Sequence, residues 1–433
     1  MDLDLIISIV SFLVLVFLGI PVVFSLGAST LIWMALNIQA MPVMNALPQN
    51  MMTYMMRFTF IAMPCFILVG RMMNKTGVTD RLSDFAVAVV GRFRGGLAYS
   101  NVFSSMLFAT MSGNAVSDAG GIGYVQMKMM KDAGYDLGFA AGTTASSSVL
   151  GPIIPPSQIM VLLGSIAEIS VARLFLGGII PGVILTAAFM LLIFVRAHFT
   201  VEGRKWPVTK VPLRETIKTI PRVIPPMLTF VIIMGSIMAG ICTPREAAVL
   251  AVWWAFFLGI CYRKVTLKGL WDALGETVES CGIFMLLVSV ASFFAWIVTI
   301  ERVHIVIGQV LAALSAGNIY VMYFICVLIF LIIGCFIDTG SAALLLTPIL
   351  FPAVEALGID LVHFSLVMIL ALMVGLITPP FGLVLFVVAD CCGLPFSRVA
   401  IESLKYAPAM LLVIILIIFF PDLVLFLPKI FFP

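Results

Sequence analysis

Charged side chains are scarce in this chain: Asp, Glu, Lys and Arg make up 10% of its 433 residues, against 62% hydrophobic. That balance leaves too little polar surface to wrap a soluble fold, and a mean hydropathy of +1.21 makes lipid the solvent for most of the chain. Only three histidines occur. His198 lies in a basic loop, and His304 and His363 near helix ends, so each is expected to be solvated and metal chemistry is not expected. The eight cysteines include no CxxC pair, and Cys391-Cys392 is the only close pair; they read as small buried hydrophobes rather than redox or zinc ligands. No acid pair and no nucleophile with an evident base is visible, which argues against an enzyme. The start, Met1-Asp-Leu-Asp4, lacks the basic end and small-residue cleavage site of a secretory leader, so Leu5 onward is read as a permanent span.

What is present is apolar sequence in runs such as Leu5 to Leu18, Val183 to Val195 and Met410 to Phe420. No ten-residue alternation marks a barrel strand, and backbone in hydrocarbon must bond internally, so the spans are helices. The fold class is an all-α polytopic membrane protein. Two stretches interrupt it with polar and glycine-rich sequence. The first is Ser112-Gly-Asn-Ala-Val-Ser-Asp118-Ala-Gly, followed by Gly151-Pro-Ile-Ile-Pro-Pro156; the second is Gly334-Cys-Phe-Ile-Asp338-Thr-Gly-Ser, followed by Gly375-Leu-Ile-Thr-Pro-Pro380. A Gly-x-Asp turn lies inside each, and from its Asp to the first proline of the pair is 19 residues in both (136 to 155, 360 to 379). Earlier prolines repeat as well: Pro21 precedes Asp118 by 97 residues, and Pro244 precedes Asp338 by 94. Matched breaks in apolar sequence are the best pointer to a transporter's binding site.

The chain therefore divides into a first repeat over residues 1–195, a linker over 196–222 and a second repeat over 223–433. Each repeat reads as two spans, a third span, an amphipathic arm, a re-entrant hairpin (about 97–131 and about 318–354) and a Pro-Pro-interrupted helix (about 137–165 and about 360–390). A final span is expected over about 406–427. The arms are read at Val78 to Gly91 and Val265 to Glu279, lying along the membrane. Arg71, Lys75, Arg81, Arg92, Arg94, Lys128 and Lys131 flank the first hairpin, whereas Arg302 alone flanks the second. The positive-inside rule then places the first flank and the linker, with its Arg196, Arg204, Lys205, Lys210, Arg214, Lys218 and Arg222, in the cytoplasm and the N-terminus outside. The two repeats have opposite topology, the arrangement that exposes one site alternately to each side.

Proline pairs remove donors and free carbonyls. With hydroxyl and amide oxygens these make a hard-oxygen environment suited to sodium, the candidates being Ser112, Asn114, Gly151, Ile154 and Pro155 in the first repeat and Gly334, Gly375, Thr378 and Pro379 in the second. Asp118 and Asp338 are read as equivalent. Carboxylates at membrane depth are usually functional, so both are candidates for substrate contact, for indirect cation coordination or for helix capping, with Asn114 and Ser157 on the cavity wall. Arg302, beside Glu301, is a candidate for acid capture, for partner docking or for simple pairing with Glu301.

Together these four motifs, in this order and spanning essentially the whole chain, resemble the large membrane subunit of tripartite ATP-independent periplasmic (TRAP) transporters. No Walker motif is present, which agrees with a carrier that uses no nucleotide. The resemblance implies uptake of an organic anion driven by a sodium gradient, through an elevator in which both hairpins slide against a scaffold built from the first spans of each half. It implies a small four-helix membrane subunit as a separate chain, a periplasmic substrate-binding protein, the bacterial inner membrane as location, sodium as coupling ion and no other cofactor; nucleic acid is not a partner. It carries sodium to the hairpin tips and Pro-Pro breaks, substrate to Asp338, and the binding protein to Ser170 and Arg302. Many relatives have a serine where this chain has Asn114. Substrates of the family include dicarboxylates, sugar acids and sialic acid, and the segment Gly142 to Ser170 leans to sialic acid. A stand-alone ion-coupled anion symporter or antiporter, with related hairpins but no binding protein, is the other reading.

Overall fold

The computed structural model describes residues 3–37, 48–53, 55–56, 58–201, 203–208, 212–264 and 266–432; Lys210 and Val265 fall outside them. Helices account for all of the regular structure among these residues. Six are long and apolar enough to cross a membrane, and a bent pair, Phe396–Leu404 with Ala407–Phe419, adds a seventh. Large apolar side chains stand exposed along their outer faces, including Leu191, Trp253, Phe257, Leu328 and Leu412. So much exposed hydrocarbon is a surface for lipid rather than water.

The outer layer begins with Leu3–Phe17 and Val22–Leu36, which fold back on each other across Gly19 and Pro21, and the Ser8 hydroxyl donates to the Ser29 carbonyl at 2.8 Å. Pro244–Cys261 starts on a full capping box, with Thr243 and Glu246 satisfying each other's backbone donors. It packs against Ala62–Lys75, which also lies against Leu267–Ile300.

Inside this layer sit two helical hairpins. The first is Gly96–Ser112 turning at Gly113 into Ala115–Asp118, a π turn at Ala119–Gly123, and Tyr124–Asp132. The second is Ile319–Phe336 turning at Ile337 and Asp338 into Thr339–Ala356. Each is followed by an interrupted helix, Leu137–Ser147 with Gln158–Ile166, and Leu361–Leu376 with Leu383–Cys392. Each break holds a cis peptide, Pro155-Pro156 in the first and Pro379-Pro380 in the second.

The interrupted helices are tied crosswise to the spans that follow them. Asp136 caps Leu137–Ser147 by accepting from the Phe139 amide at 2.9 Å, and its other oxygen holds Arg398 at 2.6 Å. Asp360 caps Leu361–Leu376 by accepting from the Val362 amide at 2.8 Å, and its other oxygen faces Arg173 at 3.7 Å. Arg173 lies 37 residues after Asp136 and Arg398 lies 38 after Asp360, so each half's capping carboxylate pairs with the arginine of the other half. Thr143 with Tyr406 (2.7 Å) and Ser146 with Ser403 (3.2 Å) extend the first tie through buried hydroxyls.

Several sequence expectations are corrected. Val265 to Glu279 is not a separate arm: from Leu267 it is the start of one 34-residue helix, Leu267–Ile300. At about 1.5 Å per residue that helix is longer than a bilayer core is thick, so its polar first turns project beyond the hydrocarbon. Gly275 and Gly282 lie inside it and do not break it. The element in the arm's position is Val303–Ser315, entered through Arg302 in a left-handed conformation (φ +52), as Val78–Val90 is entered through Gly77 (φ +72). The linker is shorter than expected, because Val171–Phe199 and Leu213–Met238 run into it. What remains is pinned by Trp206, stacked on Phe139 with centroids 4.4 Å apart. The final span ends at Phe419 and a separate helix, Asp422–Phe431, packs back on Val171–Phe199. His363 is buried, held between the Tyr323 hydroxyl (2.6 Å) and the Ile417 carbonyl (2.9 Å). All eight cysteines are free, and only Cys326 is fully buried.

One close helix contact is backbone on backbone: a Cβ added at Gly375 would sit 2.3 Å from the Gly334 carbonyl carbon. Gly375→Ala should therefore destabilise the protein by about 1–3 kcal/mol or more. Gly275→Ala, with nothing within 4 Å of the added carbon, should be neutral or stabilise by up to about 1 kcal/mol. Thermal midpoints of the two variants in one detergent compare them directly.

Candidate functional site

Each hairpin tip is seated on the break of the interrupted helix that follows it. At the first, a Cβ at Gly113 would lie 2.3 Å from the Pro156 carbonyl oxygen, and one at Gly151 would lie 3.0 Å from the Asn114 carbonyl. Gly113 has φ +61 and its carbonyl accepts from the Gln158 amide at 3.3 Å. Only glycine meets both demands at Gly113. The Gln158 side chain completes the junction: it donates to the Ser112 carbonyl at 3.3 Å and accepts from the Asn114 amide at 3.1 Å. At the second tip, Gly334 crosses Gly375, and the Phe381 amide donates to the Cys335 carbonyl at 3.2 Å.

The sequence candidates Ser112, Asn114 and Gly151 are thus gathered at one junction, beside the break that holds Ile154 and Pro155. Gly334 and Gly375 are gathered at the other, beside Thr378 and Pro379. The Ser112 and Thr339 hydroxyls, one at each tip, are buried and without a hydrogen-bond partner among the described residues. The Thr378 hydroxyl donates to the Val374 carbonyl at 2.6 Å, which leaves its lone pairs available.

A cavity of about 340 Å³ lies between the tips. Asn114, Ser117 and Gln158 line it from the first hairpin side, Asp338, Thr339 and Gly340 from the second, and Ile67, Arg71, Ser280 and Phe284 from the outer helices. A Cβ at Gly70 would lie 3.3 Å from the Ser112 Cα, and one at Gly340 would lie 3.1 Å from the Phe284 ring. Each tip therefore touches one outer helix.

Asn114 and Asp338 hold matching places. Asn114 caps the second helix of its hairpin by accepting from Val116 N (2.9 Å) and Ser117 N (3.3 Å), and Asp338 caps its counterpart by accepting from Ser341 N (3.0 Å) and from the Ser341 hydroxyl. The expected equivalence of Asp118 with Asp338 is thus corrected: the residue equivalent to Asp338 is Asn114. Both place an oxygen acceptor at a helix N-terminus, where the end dipole favours it. Asp118 lies one turn further along, completely buried, with the Ser105 hydroxyl facing it, and is not part of the cavity wall. Ser157 is also off the wall; its hydroxyl donates to the Pro152 carbonyl at 2.6 Å and caps Gln158–Ile166. Ser170 caps Val171–Phe199, and both it and Arg302 are exposed. Glu301, the expected partner of Arg302, accepts from the Trp33 indole at 3.2 Å.

Among the wall residues that were not foreseen, two carry strongly polar side chains, Gln158 and Arg71. Gln158 follows the Pro-Pro-Ser motif directly and was available to a reading of side-chain amides near breaks. Arg71 was counted only as a topology marker, yet it is the one Lys, Arg or His on the cavity wall among the described residues.

Comparison with known proteins bears on what such a cavity serves. The family model "Tripartite ATP-independent periplasmic transporter, DctM component" matches residues 9–423. The chain belongs to this family. The Vibrio cholerae sialic acid TRAP transporter large permease protein SiaM is 37% identical over 98% of this chain and 98% of its own length. The Pseudomonas aeruginosa C4-dicarboxylate TRAP transporter large permease protein DctM is 34% identical over 86% of each chain. Among solved structures, the Alcanivorax borkumensis YdaH transporter superposes with a TM-score of 0.59 at 15% identity, covering 87% of this chain and 88% of that one, which is a likeness of fold. The protein is a TRAP transporter large permease of multi-pass helical architecture.

Asn114→Ser keeps an oxygen acceptor at the first cap, whereas Asn114→Ala removes it together with the bond to Gln158. The alanine variant should lose about 1 kcal/mol of stability and the serine variant a fraction of that, read as thermal midpoints of the purified protein.

Proposed function

We propose that this chain carries an organic anion into the cell on a sodium gradient, as the large subunit of an inner-membrane transporter. A periplasmic binding protein delivers the anion, and a small four-helix membrane subunit completes the assembly; the family description itself speaks of three parts. The observation that carries this reading is the pair of hairpin tips, each seated on an interrupted helix, with a cavity between them. Sialic acid is the substrate we favour, on the 37% identity to the sialic acid permease along nearly the whole chain; a dicarboxylate or another sugar acid is next.

The donor set at the junctions suits a hard cation. It consists of hydroxyl, amide and backbone carbonyl oxygens, with no imidazole or thiolate among the proposed ligands, and includes the Ser112 hydroxyl, which has no hydrogen-bond partner among the described residues. In our reading Ser112, Asn114, Gly151, Ile154 and Pro155 hold one sodium ion, and Gly334, Gly375, Thr378 and Pro379 another. Sodium at these junctions fixes the tips on the breaks and so shapes the wall on which Asp338 accepts substrate hydroxyls. The halves lie in the membrane with opposite topology and the N-terminus outside, which agrees with the cations around the first hairpin. Hairpins and interrupted helices then move as one body against the outer helices, an elevator. Ser170 and Arg302 face outward and meet the binding protein.

Proteoliposomes holding this chain and its small partner test the reading. Uptake of labelled sialic acid should require both an inward sodium gradient and the binding protein, and Thr378→Ala should weaken its sodium dependence. Uptake without any binding protein would move the chain to the stand-alone symporters. A second variant separates docking from folding. Arg302 holds a left-handed conformation, which costs a non-glycine residue about 1–2 kcal/mol, so Arg302→Gly should leave the thermal midpoint unchanged or raised while slowing binding-protein-dependent uptake.

A further inference from the structure

We propose that Arg71 receives the acidic group of the transported anion in this state, exchanging its present partner Glu276 for the substrate; the inference rests on the anion-uptake reading above. Arg71 is the sole Lys, Arg or His among the described residues lining the cavity, and the part of the wall built by the second hairpin tip carries the Asp338 carboxylate. An anion entering a space of about 340 Å³ is thus drawn to one side and repelled from the other, which orients it: acid toward Arg71, hydroxyls toward Asp338.

The guanidinium has capacity for this. One terminal nitrogen meets a Glu276 oxygen at 3.2 Å, while Nε is buried with no hydrogen-bond partner among the described residues. A planar fork with a free donor suits bidentate binding of a carboxylate. The exchange also leaves no charge stranded. Glu276 has a second partner in Lys75, at 2.9 Å through its other oxygen, so it stays paired when Arg71 turns to the substrate. Gly70, next to Arg71, touches the first hairpin tip at Ser112, so the arginine sits beside the tip only while hairpin and outer helix hold this alignment. Arg71 and Lys75 lie in the last turns of Ala62–Lys75, an end that the positive-inside rule places toward the cytoplasm. The contact is therefore made on the release side, and Glu276 is the competitor that returns Arg71 to its resting pair.

A structural alternative makes Arg71 a tie between Ala62–Lys75 and Leu267–Ile300. The two accounts differ at Glu276. The complex of this chain with its small partner is purified in sodium buffer and titrated calorimetrically with N-acetylneuraminate or succinate, whichever the unaltered protein takes up in proteoliposomes. Arg71→Gln should weaken binding by about tenfold or more, as loss of a charge-assisted hydrogen bond requires, and Arg71→Lys by less. Glu276→Gln should bind tighter than the unaltered protein, since it frees Arg71. The neutral methyl ester of the acid should compete poorly against the unaltered protein and as well as the acid against Arg71→Gln. Affinity of Arg71→Gln within about twofold of the unaltered protein, or equal losses in Arg71→Gln and Glu276→Gln, overturns the proposal alone. Failure of the unaltered protein to take up any organic acid overturns the uptake reading, and this inference with it.

Discussion

Unwound backbone in a low-dielectric interior must find partners or leave its polar groups bare, and this constraint organises the centre of the protein. At both hairpin tips the partner is another piece of unwound backbone. Gly113 can press on Pro156, and Gly334 on Gly375, only because neither glycine carries a side chain. The side chains near by serve the same need: Asn114 and Asp338 cap helices that start in the interior, and Gln158, from the break, bonds to the hairpin tip on either side of Gly113. A site rich in oxygen acceptors follows from the requirement to end helices where water does not reach.

Features written in local chemistry were legible from the residues. The proline pairs, the Gly-x-Asp turns and the tip glycines state where helices stop, whatever surrounds them, and the interrupted helices lie where those residues put them. Features set by distant partners were not. His363 looked like a surface histidine because Tyr323 and Ile417 lie 40 and 54 residues away. Arg71 looked like a topology signal because the contact that brings it to the cavity, Gly70 on Ser112, joins separate helices. Matching Asp118 to Asp338 aligned like with like, whereas the fold matches residues by capping role and pairs Asp338 with an amide. The displaced arm has another cause. An amphipathic run that passes into an apolar one keeps the same period, and no breaker separates the two in Leu267–Ile300.

The few ionic contacts are distributed with a purpose. Arg196 with Glu402, at 3.1 Å and largely buried, holds Val171–Phe199 to the last third of the chain, and Asp136 with Arg398 holds the first interrupted helix to it. Exposed pairs of the latter kind contribute little to stability each; their value lies in register, since each also fixes a capping aspartate that starts a helix. Arg71, Lys75 and Glu276 differ in kind: two cations share one anion, so one can leave without stranding a charge.

The crosswise ties have a consequence for how the protein is made. Asp136 and Arg398 are 262 residues apart, and the buried hydroxyl faces of Thr143 and Ser146 wait for Tyr406 and Ser403. When the ribosome has finished the first half, that half still exposes a polar helix face whose cover has not been synthesised. The nascent chain must therefore hold its early helices in a provisional arrangement, shielded by the insertion machinery or by lipid headgroups, until almost the last span arrives. Two halves made as separate polypeptides would each carry this unfinished face.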